Sequence, residues 1–194
     1  MQNIYIKNQY FAPDVISLTE DEVFVDGGAF TGDTLEDFIQ ATGGNYKKYY
    51  AFEPDKNNFI LLSKKIENDH IKNVLPVENG LYNENKLISF SGDNRTSSSI
   101  DSNGTFTIEV NSVDNLCNDA TFIKMDIEGV ELEALKGSKQ TIISNKPKLA
   151  ICIYHKKEHL TEILLYIKSL RPDYKFYMRQ HSKVSSAELV LYAV

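Results

Sequence analysis

The sequence predicts an α/β protein built around a largely parallel sheet, and three observations carry that expectation. Short runs rich in β-branched and aromatic residues alternate with longer stretches whose apolar residues recur at helical spacing. The first such run ends in a glycine-rich turn, where a parallel sheet presents its carboxyl edge to a ligand. The length, 194 residues, suits one domain with a sizeable core, and no Pro-, Gly- or Ser-rich linker divides it.

Taken in order, strands are expected at residues 22–26, 49–53, 73–78, 121–126, 149–154, 174–178 and 189–193. A helix over 34–42 follows from Leu35, Phe38 and Ile39 and stops at Gly43-Gly44. A second over 56–69 carries Phe59, Leu62 and Ile66. A third over 130–144 carries Leu132, Leu135, Ile142 and Ile143 ahead of Pro147, and a fourth over 157–170 carries Leu160, Ile163, Leu164 and Ile167 ahead of Pro172. Between the third and fourth strands, residues 86–113 read as a β-hairpin insertion whose polar loop, 93–103, holds Ser97, Ser98 and Ser99.

Composition excludes several classes. With 42% hydrophobic and 25% charged residues the chain is neither disordered nor fibrous. The 27 acidic against 21 basic side chains argue against a simple basic nucleic-acid binder. No run of about 18 apolar residues is present to span a membrane, and the first ten residues do not read as a signal peptide. Two cysteines, Cys117 and Cys152, make no disulfide framework, which favours a reducing, cytoplasmic setting. The charge is uneven: residues 146–194 hold 9 basic and 4 acidic groups, so an anionic partner would be expected to meet that quarter.

The first constellation is Asp26-Gly27-Gly28-Ala29-Phe30-Thr31-Gly32 at the strand-to-helix junction. Glycines there allow a tight turn and close backbone approach to a ligand, with a helix N-terminus behind; an ordinary βα turn is the plainer alternative. The second constellation is Phe52-Glu53-Pro54-Asp55, which ends the next strand with a carboxylate 21 positions after Gly32. That spacing suits an acid accepting both hydroxyls of a ribose. A dinucleotide fingerprint would need Gly where Ala29 stands, and Asp26 disfavours a diphosphate beside it. A cationic nucleoside ligand with an ammonium and a sulfonium, S-adenosylmethionine, fits better.

These residues, together with Lys124-Met-Asp126-Ile-Glu128-Gly-Val-Glu131, Glu133-Ala-Leu-Lys-Gly137, the 148–155 strand ending in Tyr154-His155, and the closing Glu188-Leu-Val-Leu-Tyr192, resemble the FkbM family of S-adenosylmethionine-dependent methyltransferases. The resemblance covers residues 22–194. It implies a class I, Rossmann-like three-layer sandwich, with a seven-stranded mostly parallel sheet whose last strand is antiparallel. It also implies O-methylation of a hydroxyl on a sugar or small natural product. Phe30 departs from the glycine found there in much of the broader superfamily.

Lys124, Asp126 and Glu128 share one face of the fourth strand if it stays extended, where three charges are costly unless paired or used. They are candidates to orient or deprotonate the acceptor, or to hold Mg²⁺; an ion pair plus a helix-capping Glu128 is the structural alternative. His155, arriving at the same edge, is a second candidate base. Asn79 and Gly80 are expected near the adenine, and Arg95–Ser98 as a cover over the cofactor. His70, His159 and His181 lack metal-ligand spacing and are expected to be structural; no metal ligand is assigned. Residues 1–21 are left as an N-terminal arm or lid, with a homodimer or fusion to further domains both compatible with the sequence. Rival functions are an NAD-dependent oxidoreductase on a similar sheet and a catalytically silent cofactor-binding or interaction module.

Overall fold

The central sheet runs in the order β3 (Val74–Val77), β2 (Lys48–Phe52), β1 (Val23–Gly27), β8 (Phe122–Met125), β9 (Lys148–Cys152), β11 (Leu189–Ala193) and β10 (Phe176–Gln180). β11 is antiparallel to both of its neighbours, whereas the pairs from β3 across to β9 are parallel. This computed structural model describes residues 8–91, 99–100, 106–183 and 187–194. The expected cover at Arg95–Ser98 lies outside the described residues.

A strand covered on both faces must be apolar on both, and β1 is buried at all five positions. Alternation sends Val23 and Val25 into one core and Phe24 into the other. The first core packs under α3 (Val113–Leu116), α4 (Glu131–Lys136), α5 (Lys139–Asn145) and α6 (His159–Leu170), through Leu135, Ile142, Ile163 and Ile167. The second lies under α1 (Asp33–Thr42) and α2 (Lys56–Asn68), and is rich in aromatics. There the Phe24 ring stacks on Phe38 at 4.7 Å and meets Phe122 at 4.6 Å and Tyr49 at 5.0 Å. Phe11 closes this cluster from the N-terminal segment, with Ala12 and Ile16 also buried.

A second, smaller sheet rises at the carboxyl edge. It comprises β4 (Gly80–Leu81), β5 (Lys86–Ser91), β6 (Ser99–Ile100) and β7 (Phe106–Asn111), in the order β4-β7-β5-β6. β5 and β7 pair antiparallel, Ile88 opposite Ile108.

Besides a fourth strand that ends at Met125, a fifth that ends at Cys152 and the unexpected α3, three elements differ from expectation for identifiable reasons. The helix over 130–144 is two helices, broken at Gly137-Ser138. The break follows from crowding: a Cβ on Gly137 would sit 2.1 Å from the Tyr82 carbonyl oxygen, and the Ser138 hydroxyl turns back onto the Ala134 carbonyl at 2.8 Å. The sixth strand begins two residues late because Tyr174 is drawn inward, its hydroxyl donating to the Pro147 carbonyl at 2.6 Å. α6 begins at His159, after a turn in which the His159 amide bonds the Lys156 carbonyl.

Gly43 and Gly137 separate two uses of glycine. Gly43 needs its φ of +61° and has open space around its Cβ direction, so Gly43→Ala should cost about 1 kcal/mol. Gly137, at an ordinary φ of −77°, needs only space, and Gly137→Ala should cost at least about 2 kcal/mol. Urea unfolding of both variants checks the order; equal losses would contradict it.

Candidate active site

The sheet order reverses between β1 and β8, so the loops after these strands leave in opposite directions and open a crevice at the carboxyl edge. The crevice is a cavity of about 670 Å³, within the range of small-molecule sites. Leu81, Ile88, Ile108 and Val110 of the small sheet form an apolar wall; Tyr10 comes from the N-terminal segment.

The glycine turn is built by backbone contacts. The amides of Gly28 and Ala29 both donate to the Phe52 carbonyl, at 3.1 and 3.0 Å. Gly28 adopts φ +79°, and a Cβ there would lie 2.1 Å from the Asp126 carbonyl oxygen, so no other residue fits. Phe30 takes φ +48°, which aims its amide at Glu53 Oε2, 2.8 Å away. The Asp55 amide donates to Glu53 Oε1 at 2.9 Å. Glu53 is buried yet lines the cavity, and each oxygen keeps a lone pair after these bonds. Burial pushes its pKa up, against the pull of the two amides and Asn58.

Behind the turn, Lys124 is 1% exposed and its Nζ lies 2.8 Å from Asp26 Oδ1, 3.1 Å from the Gly27 carbonyl and 2.8 Å from that of Gly28. Burial works against the ammonium, but Asp26 and Asp126 outweigh it and hold the Lys124 pKa above its ordinary value. The second oxygen of Asp26 accepts from the Tyr49 hydroxyl.

At the end of β8, Asp126 is clamped. Tyr10 donates to Oδ2 at 2.8 Å, Tyr154 donates to Oδ1 at 3.1 Å, and His155 Nε2 stands 3.4 Å from Oδ1. His155 Nδ1 faces Glu131 Oε1 at 2.8 Å, and its Nε2 also approaches Glu128 at 3.6 Å. Glu131, fully buried, takes His159 on its other oxygen at 3.1 Å and accepts the amides of Ile127 and Gly129, which fixes the turn after β8.

Of the residues singled out from the sequence, Gly28, Phe30, Glu53, Pro54, Gly80, Lys124, Asp126 and Glu128 line this cavity. Gly27, Ala29 and Gly32 shape the turn without lining it, and Asn79 stands half-buried outside the lining. Asp26 differs from the role expected of it. It is fully buried and neutralised by Lys124, so it supports the turn and does not face a ligand. Lys124 likewise braces backbone. His155 sits behind Asp126 outside the lining, with carboxylates at both nitrogens, and is poorly placed to take a proton. No described residue of the basic 146–194 segment lines the cavity, so among the described residues the anionic partner expected there meets no basic wall. Among the described residues no group of three or more His, Cys, Asp or Glu side chains is arranged to hold a metal ion. Tyr10, Tyr49 and Glu131 were not read from the sequence as site residues; Glu131 carried a signal, an acid opening a helix directly after the charged strand end.

The Glu131 cluster makes stability pH-dependent. Burial alone would raise the Glu131 pKa, but the bonds from His155 and His159 bring it down to about 2 from 4.5. Burial lowers that of His155, yet Glu131, Asp126 and Glu128 together raise it above 6.5. The Glu131 contribution is therefore full above about pH 4.5 and erodes as pH falls towards 2, whereas that of His155 is full below 6.5 and fades as pH rises through its elevated value. Glu131→Gln removes the first and Glu131's share of the second. Its deficit against the unmodified protein in urea unfolding should be on the order of 3 kcal/mol between about pH 4.5 and 6.5 and shrink on either side. A deficit that ignores pH would contradict the assignment.

Comparison with known proteins agrees with this fold. The profile of the Methyltransferase FkbM domain matches residues 26–176. The crystal structure of an FkbM methyltransferase from Methylobacillus flagellatus KT superposes with a TM-score of 0.83 at 31% identity, covering 96% of this chain and 47% of that one. The chain thus spans about half the length of that relative. At the level of fold alone, an rRNA methylase from Streptococcus thermophilus gives a TM-score of 0.56 at 16% identity, covering 91% of this chain and 87% of that one. M. jannaschii TYW2, solved in complex with AdoMet, gives 0.53 at 17%, covering 90% and 68%. No curated protein matches the chain. With a family profile spanning most of the sequence and a family structure superposing over nearly all of it, the chain belongs to the FkbM methyltransferase family.

Proposed function

We propose that this chain is an S-adenosylmethionine-dependent O-methyltransferase acting on a hydroxyl of an uncharged saccharide or small natural product. The observation that carries the reading is Glu53: a carboxylate buried beside the glycine turn, lining the cavity, with acceptor capacity left on both oxygens. That is the chemistry a ribose demands, and the AdoMet complex of M. jannaschii TYW2 on a related fold supports it. When bound, S-adenosylmethionine supplies a methyl already activated on a positive sulfur.

The chain's own residues do the rest. Glu53 holds the ribose, and the Gly28–Phe30 turn sets the depth to which a ligand enters. Asp126 is the cavity-facing carboxylate, held in one orientation by two phenols, and it orients the acceptor hydroxyl and takes its proton. Glu128 widens the negative rim, and His155 and Glu131 fix the turn beneath. Among the described residues the lining carries five carboxylates, Asp33, Glu53, Asp55, Asp126 and Glu128, against Lys56 and the already neutralised Lys124. An anionic acceptor would be repelled, which favours an uncharged one. Family membership displaces the NAD reading, and turnover separates an enzyme from a silent module. Among the described residues no helix is long and apolar enough to cross a membrane, and the two buried cysteines are unpaired; we place the protein in the cytoplasm.

Glu53→Ala should weaken S-adenosylmethionine binding roughly ten- to a hundredfold by calorimetry; unchanged affinity would remove the ribose assignment. With tritiated methyl donor and a panel of hydroxylated saccharides and small natural products, label should enter an uncharged hydroxyl compound. On that acceptor, Asp126→Asn should lower kcat by roughly 10²–10⁴ while donor affinity stays within a few-fold; full turnover would end its role as base.

A further inference from the structure

Tyr10 carries an inference that the family does not supply. It reaches the cavity from the segment preceding β1, is 8% exposed, and adopts φ +67°, a left-handed backbone that tyrosine holds only when its surroundings fix it. Three contacts do so. Its amide donates to the Tyr192 hydroxyl at 3.1 Å, its ring lies 5.0 Å from the Lys124 ammonium, and its hydroxyl donates to Asp126 Oδ2 at 2.8 Å. Gln9 Nε2 donates to the same phenol oxygen at 3.0 Å, which leaves the phenol proton directed at Asp126. Among the described residues the phenol is the hydrogen-bond donor on Oδ2, whereas Tyr154 and His155 both approach Oδ1; Lys124 and Glu128 interact with the same carboxylate electrostatically.

We propose that Tyr10 is a positioning residue for Asp126: one hydrogen bond both sets the carboxylate's orientation towards the acceptor and fastens the N-terminal segment in place as a fixed wall of the cavity. The site residue and the segment are then two ends of a single interaction, so weakening either should loosen the other. Burial supports this, holding the Tyr10 phenol far above its ordinary pKa and so keeping it a donor at any working pH. The inference rests on the methyltransferase reading for its meaning in catalysis, but not for the coupling itself.

The test is amide hydrogen exchange in the ligand-free protein, read at Tyr10, whose amide bonds Tyr192, and at Val15 and Ile16, whose amides bond the Ala12 carbonyl. Tyr10→Phe should speed exchange at these amides roughly ten- to a hundredfold, and Asp126→Ala, remote in sequence, should do the same. The double variant should be no faster than the quicker single one, because both lose the same bond. If Tyr10 merely filled the core, Asp126→Ala would leave the three amides at the unmodified rate, which overturns the proposal; so do multiplying effects in the double variant. Should Tyr10→Phe fail to fold, Asp126→Ala alone still decides. Calorimetry with S-adenosylmethionine gives a second arm: Tyr10→Phe should keep the dissociation constant within about fivefold, and a larger loss would place Tyr10 against the donor instead and overturn its assignment to Asp126. An unmodified protein that binds no S-adenosylmethionine defeats the cofactor reading, while the exchange cycle still judges Tyr10.

Discussion

A single buried ammonium fastens the two halves of the crevice together. Lys124 belongs to β8, yet its acceptors are Asp26 and the carbonyls of Gly27 and Gly28 on β1. Taking such a charge out of water costs several kcal/mol, and only well-formed partners offset it. Asp26 is kept in register by Tyr49 on the other side. Once the turn is held against β8, Gly28 is pressed onto the Asp126 carbonyl, Phe30 is forced into a left-handed backbone, and its amide is delivered to Glu53. The position of the acid proposed to hold the ribose thus descends from an ion pair buried behind the turn.

The carboxylates near the edge divide into those that face the cavity and those that hold others still. Asp26 and Glu131 are fully buried and paired, with Lys124 for one and with His155 and His159 for the other. Glu53, Asp126 and Glu128 look into the cavity. The inner pair engages basic groups near the edge, and among the described residues the lining keeps an excess of carboxylates, in keeping with the proposed cationic donor.

Much of the fold was legible because its signals are local. The continuous apolar run of β1, the apolar spacing of α1 and the Gly43 stop are each set by residues close in sequence. The break at Gly137 was not, since its cause is a backbone oxygen of Tyr82 from a distant strand. At the site the same division holds. The place of Glu53 at the cavity was legible because strand end and spacing set it, whereas Asp26 was given a ligand because charge at a strand end looks functional until its partner is known. Its partner, Lys124, lies 98 residues on, as far as a sequence motif can be from announcing an ion pair. Tyr10 gave no signal, as nothing local to it predicts Asp126 or Tyr192.

The bond from the Tyr10 amide to the Tyr192 hydroxyl joins residues 182 apart. A contact of that span closes slowly, after the chain between has found its place. During synthesis the wall of the cavity can therefore form only when β11 has emerged from the ribosome and inserted between β9 and β10. Until then the Tyr10 amide lacks its hydroxyl partner. The antiparallel strand, which contributes no side chain to the cavity lining, thus supplies the longest-range anchor of the cavity's N-terminal wall.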